Sequence, residues 1–315
     1  MEHGPTCRDQ WSSPTLIAVL TAAAFLCLGA PPARAFDHQV CFAPEDPLAP
    51  GKCGGLTCDG GIFDTLEEAI AGVEALPDLP DGNRPNVELC LFGGPDSEPY
   101  VGSLTIDNTG SLIASPLSLN FNGRVLCPPS GTPETQPVLE LVTDGDMQVN
   151  DIRIDLTPIG PCPGTAPGVL VRGGGSFNLN EASISGFADY AIADGVTGEP
   201  GTLNLSYASL TNGTGSAIRS AGPLYVAYTE ISGNTLPSDQ GLLGLVWSEG
   251  LEDARLHAVV FFGNQVEGGD FGNHALVHGR FHSIWNSAFV ANGVATDAAL
   301  IRMGYQDFDD DWQEP

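Results

Sequence analysis

The segment Leu224-Tyr-Val-Ala-Tyr-Thr-Glu-Ile-Ser-Gly-Asn234 decides the fold of this chain. It consists of an alternating apolar run, a polar corner, and a second short apolar run that ends in glycine and asparagine. Variants of this arrangement occur at residues 178–186, 203–213, 256–264 and 284–292. A unit of one type that returns at about one coil length is typical of a solenoid, in which each repeat packs on the next.

Each of these segments has one central apolar residue in its second run, and these residues lie 21 to 30 positions apart. They are Ile184, Leu210, Ile231, Phe261 and Phe289. The local period is two, which predicts strands, and no 3.6-residue period appears. We therefore predict an all-β fold, a right-handed parallel β-helix in which successive strands stack directly over one another.

Alternating runs are also present in the first half of the chain, separated by Gly, Asn, Asp and Pro turns. They occupy residues 87–91, 104–106, 117–121, 138–142 and 152–156. One amphipathic helix precedes them, because Thr65 and Glu68 form a capping box and Pro77 stops the helix. Its apolar face is formed by Leu66, Ile70, Val73 and Leu76. We expect this helix to cap the open end of the stack.

The first 35 residues resemble a secretory signal. An apolar stretch, 16–30, is followed by the small-x-small cleavage sequence Ala33-Arg-Ala35. We therefore predict a mature chain that begins at Phe36, and a secreted or cell-surface location with the periplasm as an alternative. We predict no transmembrane span, because no second long apolar run occurs.

Cys7 and Cys27 lie within the predicted signal. The cysteines that follow it form an even set, as expected for disulfides in an exported protein. They are Cys41, Cys53, Cys58, Cys90, Cys127 and Cys162. Fifteen pairings are open, and the sequence does not choose among them. The spacing of Cys53 and Cys58 lacks the second ligand pair of a zinc site, so no metal site is predicted.

The net charge is −28, and Lys52 is the only lysine. Such a surface repels nucleic acid and anionic lipid, which excludes both as partners. We predict no cofactor, with calcium bound by surface acids left open. The boundaries follow from these patterns: a signal at 1–35, a cysteine-rich irregular segment at 36–62, the β-helix with its capping helix at 63–303, and an acidic tail at 304–315.

Short phrases in the second half connect the chain with a known group. Phe261-x-x-Asn264 and Phe289-x-x-Asn292 match the Phe-x-x-Asn phrase of polymorphic outer-membrane protein repeats, and Gly215-Ser-Ala-Ile218 is close to their Gly-Gly-Ala-Ile phrase. Over roughly residues 60–303 the chain resembles the secreted right-handed parallel β-helix proteins of the pectin-lyase-like superfamily. The resemblance implies the fold and export, but no single activity, since one fold hosts many functions.

Aligned apolar runs on another face of the coil predict a column of outward side chains. It contains Arg172, Ala193, Arg219, Trp247, His278 and Arg302. Arginine binds carboxylates through two hydrogen bonds, and tryptophan offers a flat apolar surface to sugar rings, so this column is our candidate groove for an acidic polysaccharide. The alternative is that the arginines pair with nearby acids of the same chain.

Other clusters are weaker candidates. The spacing of His274, His278 and His282 would suggest a metal on a helix, but their sequence context favours a strand and its turn. Acid pairs occur at 144/146, 151/155 and 252/253, as glycoside hydrolysis would need, yet acids are so frequent here that coincidence explains them. Asn108-Thr-Gly110 lacks the aspartate of the phrase in β-helix galacturonases.

We therefore predict a non-enzymatic extracellular binding or adhesion protein that recognises a glycan or envelope polymer. The first alternative is a calcium-assisted polysaccharide lyase or hydrolase in which Arg219 or Arg302 acts with a neighbouring acid. The second is a structural rod that docks a partner.

Overall fold

The computed structural model describes residues 36–43, 58–102, 104–109, 117–195, 200–238, 243–249, 254–268, 274–296, 298–303, 305–306 and 312–313. Over these residues the chain is a parallel β-solenoid with three faces, as predicted. Six successive turns contribute a strand to every face. The right-handed sense of the coil stays a prediction. The predicted signal and most of the acidic tail lie outside the described residues.

Face A is a ten-stranded parallel sheet. Its strands, in spatial order, are Gly61–Phe63, His38–Phe42, Val87–Leu91, Leu117–Asn120, Asp146–Asn150, Ser176–Asn180, Thr202–Ser206, Leu224–Ala227, Ala254–His257 and Phe281–Trp285. The second element is a correction, because residues 38–42 were predicted to be irregular. They pair with Val87–Leu91 in unbroken register, so the solenoid begins before residue 63.

Face B has six strands and face C has eleven. Those of face B are Arg153–Asp155, Ser183–Ser185, Ser209–Thr211, Glu230–Ser232, Val260–Phe262 and Ala288–Val290. Face C begins with Thr105–Asn108, Leu139–Thr143, Val169–Arg172, Ala188–Asp194 and Thr214–Ser220. It then continues as two rows, Thr235–Leu236, Gln265–Val266 and Gly293–Val294 beside Gly244–Ser248, Ala275–Gly279 and Ala299–Met303. Two small sheets join Tyr100–Val101 to Leu126–Cys127 and Tyr305–Gln306 to Trp312–Gln313.

The predicted central residues of the repeats stack on face B in perfect register, from Ile184 through Leu210, Ile231 and Phe261 to Phe289. The first four are fully buried, and they belong to one apolar core that runs along the solenoid. This confirms the period-two reading of the sequence. It also explains the Phe-x-x-Asn phrases, since the rings of Phe261 and Phe289 stack inside with centroids 4.7 Å apart.

The asparagine of each phrase forms a ladder at the corner between faces B and C. We call Asn234, Asn264 and Asn292 the asparagine ladder. Each of the first two donates its amide Nδ2 to the side-chain oxygen of the next member, at 3.1 and 2.9 Å. The backbone N–H groups of Asn234 and Asn264 donate to the same oxygens at 3.0 Å. The ladder thus satisfies buried backbone groups that no strand pairs.

The corner between faces A and B is made by one residue per turn in the left-handed region. These are Asp151, Glu181, Tyr207, Tyr228, Ala258 and Asn286, with φ from 50° to 60°. Their backbone N–H groups extend the hydrogen bonding between turns. The N–H of Tyr207 donates to the carbonyl oxygen of Ala227, and the N–H of Tyr228 donates to that of His257. This conformation is roughly 1–2 kcal/mol less stable than a right-handed one for a residue other than glycine. Side chains at this corner are projected away from the core.

The N-terminal end carries the predicted helix, α1, Leu66–Glu74. The capping box of Thr65 and Glu68 is confirmed, and Leu66, Ala69 and Val73 join the main core. None of the helices in the described part of the chain is long and apolar enough to cross a membrane.

Two disulfides join Cys41 to Cys58 and Cys127 to Cys162, with Cα atoms 5.6 and 5.5 Å apart. Cys90 is disulfide-bonded as well. Cys53 lies outside the described residues, as does Lys52. Both described bridges lie in the N-terminal part of the solenoid.

Candidate ligand-binding surface

The structure assembles most of the predicted column on face C. Ala193 aligns with Arg219, Arg219 with Trp247, Trp247 with His278, and His278 with Arg302. The placement of Arg172 was wrong, because Leu170 occupies its position opposite Ala193. Two residues separate the predicted register from the observed one. The coil from Leu170 to Ala193 therefore contains two residues more than the alignment of Arg172 with Ala193 allowed.

The face C column is largely occupied by its own contacts. Nε of Arg219 donates to Oε1 of Glu249 at 2.5 Å, and its guanidinium carbon lies 4.5 Å from the centre of the Trp247 ring. Arg172 forms an ion pair with Glu140 at 3.1 Å. His278 was expected to face solvent but is only 3% exposed. The alternative in which arginines pair with acids of the same chain therefore describes Arg172 and Arg219.

The other predicted clusters do not converge. His274 and His278 are buried on face C, whereas His282 is exposed in the last strand of face A. Asp155 accepts hydrogen bonds from Thr157 and Ser185; burial opposes them, but together they lower the pKa of its carboxyl. Within the described residues, no three His, Cys, Asp or Glu side chains gather as a metal site would require. The pair 252/253 lies outside these residues.

A different surface remains open, at the corner between faces A and B. We call Tyr207, Tyr228, His257 and Trp285 the aromatic stripe. The ring centroids of the two tyrosines are 5.1 Å apart, and those of His257 and Trp285 are 4.1 Å apart, with nearly parallel planes in both pairs. Tyr228 and His257 bridge the pairs at 5.2 Å. The rings therefore run without a gap over four successive turns.

The stripe is exposed rather than packed. Tyr207, Tyr228 and Trp285 are 39%, 40% and 56% exposed. Among the described strands, Phe281–Trp285 is the last of face A, so one side of the indole is stacked on His257 and no described strand of this sheet covers the other. Large exposed aromatic groups in a row are unusual on a soluble surface and mark interaction sites.

The position in the repeat that carries the ring changes along the stripe. In two turns the ring is carried by the left-handed corner residue, Tyr207 or Tyr228. In the next two it is carried by the last strand residue, His257 or Trp285, and the corner residue following His257 is Ala258. Ala227, directly before Tyr228, is the register partner of His257. Between Tyr228 and His257 the stripe therefore shifts by one residue along the chain, from the corner to the end of the strand, and the rings stay in contact.

On the exterior of face A, a polar patch occupies the two turns before the stripe and the strand that leads into Tyr207. The patch consists of Gln148, Asn150, Asn178, Asn180, Asn204 and Ser206, all half-buried on the outer side of the sheet. Neighbouring amides bond to one another, as Asn180 Nδ2 does to Asn150 Oδ1 at 3.3 Å and Asn204 Nδ2 to Asn178 Oδ1 at 3.2 Å. Ser206 donates to Asn180. The patch carries hydrogen-bonding groups but no charge.

Two acids occupy the same corner positions before the stripe. Partial burial raises the pKa of Glu181, and the adjacent carboxyl of Asp151, with which it shares a hydrogen bond, raises it further. Both side chains line a shallow cleft of about 400 Å³. The corner is thus acidic at one end and aromatic at the other.

Sequence reasoning missed the stripe, although a signal was present. In the aligned repeats a ring follows the first apolar run each time, directly or after one residue: Tyr207, Tyr228, His257 and Trp285. The predicted column rests on the second apolar run of each repeat, where the arginines occur, and a polar corner by itself predicts only a turn. No protein-family model, no curated protein and no solved structure matches this chain.

Proposed function

We propose that this protein is an exported, non-enzymatic glycan-binding protein, and that the aromatic stripe, with the polar patch beside it, forms its binding surface. The observation that carries the proposal is the unbroken row of exposed rings over four turns. The stacked rings turn their edges outward, where sugar C–H groups can contact them, and sugar hydroxyls can bond to the amides of the patch. The stripe and the patch offer both on one continuous surface.

The face C column supports this role less well than the stripe does. Its best cation, Arg219, is engaged by Glu249 and Trp247, so an acidic ligand would have to displace a carboxylate to reach it. The same contact weakens the alternative of a lyase with Arg219 as the base, because the guanidinium is already engaged by Glu249.

Export and family membership are part of the same proposal. The bridges Cys41–Cys58 and Cys127–Cys162 are compatible with an oxidising compartment. The kinship with pectin-lyase-like proteins and polymorphic outer-membrane protein repeats rests on the Phe-x-x-Asn phrases and on the solenoid that they build.

The test is affinity electrophoresis of the protein in gels that contain hydroxyethylcellulose, xylan, galactomannan or polygalacturonate. We expect at least one polysaccharide to retard the protein, and Tyr228→Ala and Trp285→Ala each to reduce that retardation. Phe262→Ala is the matched control, since Phe262 is an equally exposed aromatic residue on face B, outside the stripe.

Retardation by none of the polysaccharides would overturn the proposal. So would an equal loss in the Phe262→Ala control, because the effect would then come from exposed apolar area in general. Release of unsaturated ends from polygalacturonate, lost on Arg219→Ala, would instead establish the lyase alternative.

A further inference from the structure

We propose that the ligand is a linear, uncharged polysaccharide that lies parallel to the solenoid axis along the corner between faces A and B. This inference rests on the proposed function and adds the class of the ligand, its direction and the length of its footprint. The inference is based on the position of the aromatic stripe, which lies in line with the polar patch on a molecule that is otherwise strongly acidic.

The direction follows from the spacing of the turns. Neighbouring strands of a sheet lie about 4.8 Å apart, so the four rings span about 14 Å along the axis. The observed ring separations, 5.1, 5.2 and 4.1 Å, agree with one ring per turn. This repeat is close to the length of one pyranose unit in an extended chain. A polymer along the axis therefore meets the outward edge of one stacked ring at each sugar, whereas a chain across the stripe meets only one ring.

The polar patch supplies hydrogen bonds in the same direction. Each side-chain amide has two N–H donors and two acceptor lone pairs. The contacts of Asn178 and Asn180 with their neighbours use only part of this capacity. The unused groups are held at fixed positions by those contacts, one set per turn, so they suit a ligand whose hydroxyls repeat at the same interval.

The charge distribution selects against uronates. The net charge is −28, and Asp151 and Glu181 stand at the end of the stripe itself. A polymer of carboxylates would meet repulsion both from the molecule as a whole and at this corner. None of the residues that form the stripe and the patch is Asp, Glu, Lys or Arg; Arg255, which lies beside the stripe on face A, is placed over the ring of Tyr225. An uncharged polymer meets no such repulsion, and its binding buries no ion without a partner.

The experiment is isothermal titration calorimetry with oligosaccharides of two to six units. Cello-, xylo- and manno-oligosaccharides are the neutral probes, and oligogalacturonates and glucosamine oligomers are the charged ones. For a neutral series we expect affinity to rise about tenfold between two and four units and then to level off, since each of the two added sugars should contribute about threefold. Added salt should leave this affinity unchanged.

A variant at the end of the stripe tests the footprint. In Trp285→Ala the plateau should move from four units to three, while Phe262→Ala should keep it at four. A plateau at one or two units, an unmoved plateau in Trp285→Ala, or tighter binding of a charged series would each overturn the inference. All three outcomes leave a protein that binds glycans, so they are distinct from the loss of retardation that would overturn the proposed function.

Discussion

The asparagine ladder and the aromatic stripe are both rows of similar side chains stacked from turn to turn, yet they have opposite surroundings. Asn234 and Asn264 are completely buried and bond to each other and to backbone groups. The rings of Tyr228 and Trp285 stack just as regularly but remain 40% and 56% exposed. The solenoid aligns any column of side chains, so stacking alone does not indicate a function.

The difference lies in what else the side chains satisfy. Each ladder amide accepts from and donates to backbone groups that would otherwise be buried without a partner, so it contributes to folding. The rings of the stripe cover no such group, and they occupy corner positions that project from the core. An exposed column without a structural task is therefore the better place to look for binding.

The largest effect should come from interrupting the ladder. Asn264→Ala removes four side-chain hydrogen bonds that link three turns and leaves buried donors of Asn234 and acceptors of Ile231 unpaired. Unsatisfied buried groups cost roughly 1–3 kcal/mol each. We expect the free energy of unfolding to fall by about 3 kcal/mol or more, measured by denaturant titration.

Asn178→Ala is the matched control for this prediction, because its amide faces outward on face A and bonds to Asn204. It should cost about 1 kcal/mol or less. Equal losses in the two variants would contradict the distinction between interior and exterior columns.

A buried carboxyl should produce the next largest effect. Asp194 is 1% exposed, and burial raises the pKa of its carboxyl from 3.8 to about 6, although hydrogen bonds from Gly201, Ser220 and Gly222 oppose the shift. The folded state therefore binds the proton more tightly than the unfolded state does. The resulting stability is fully present below about pH 4 and is lost as the pH rises to about 6, by roughly 3 kcal/mol.

Denaturant titrations between pH 4 and 7 check this dependence. In Asp194→Asn the part of the pH slope that comes from this group should be absent. Asp189→Asn, at an exposed acid of the same strand, should retain it. A slope that survives in Asp194→Asn would assign the pH dependence to the general acidity of the chain.

The sequence was sufficient for the architecture because each turn repeats one pattern of apolar residues. Ile184 through Phe289 were placed in register from spacing alone, and α1 from its capping box. Arg172 was misplaced because turn length, which varies between coils, sets the register of the next strand. The burial of His278 and the pairing of Arg219 with Glu249 depend on contacts between turns, which a linear pattern does not contain.

The ion pair on face C should contribute modestly. Arg219 and Glu249 have side chains 26% and 33% exposed, so solvent screens their attraction. A double-mutant cycle with Arg219→Ala and Glu249→Ala should give a coupling of about 0.5–1 kcal/mol that decreases with added salt. A coupling above about 2 kcal/mol would show that the face C column stabilises the fold as the asparagine ladder does.

The smallest effect on stability is expected within the stripe, at Tyr228→Gly. Removing the ring loses its contacts with Tyr207 and His257, together on the order of 1 kcal/mol. Tyr228 has the left-handed conformation of this corner, with φ 50°. Glycine adopts that conformation without the cost of about 1 kcal/mol that it has for tyrosine. The two changes nearly cancel, so the free energy of unfolding should shift by less than about 0.5 kcal/mol, whereas glycan retention should be reduced. Tyr228→Ala keeps the unfavourable conformation and should be about 1 kcal/mol less stable than Tyr228→Gly. A loss of 2 kcal/mol or more in Tyr228→Gly would mean that the rings hold the turns together, and the contrast between a folding ladder and a binding stripe would no longer stand.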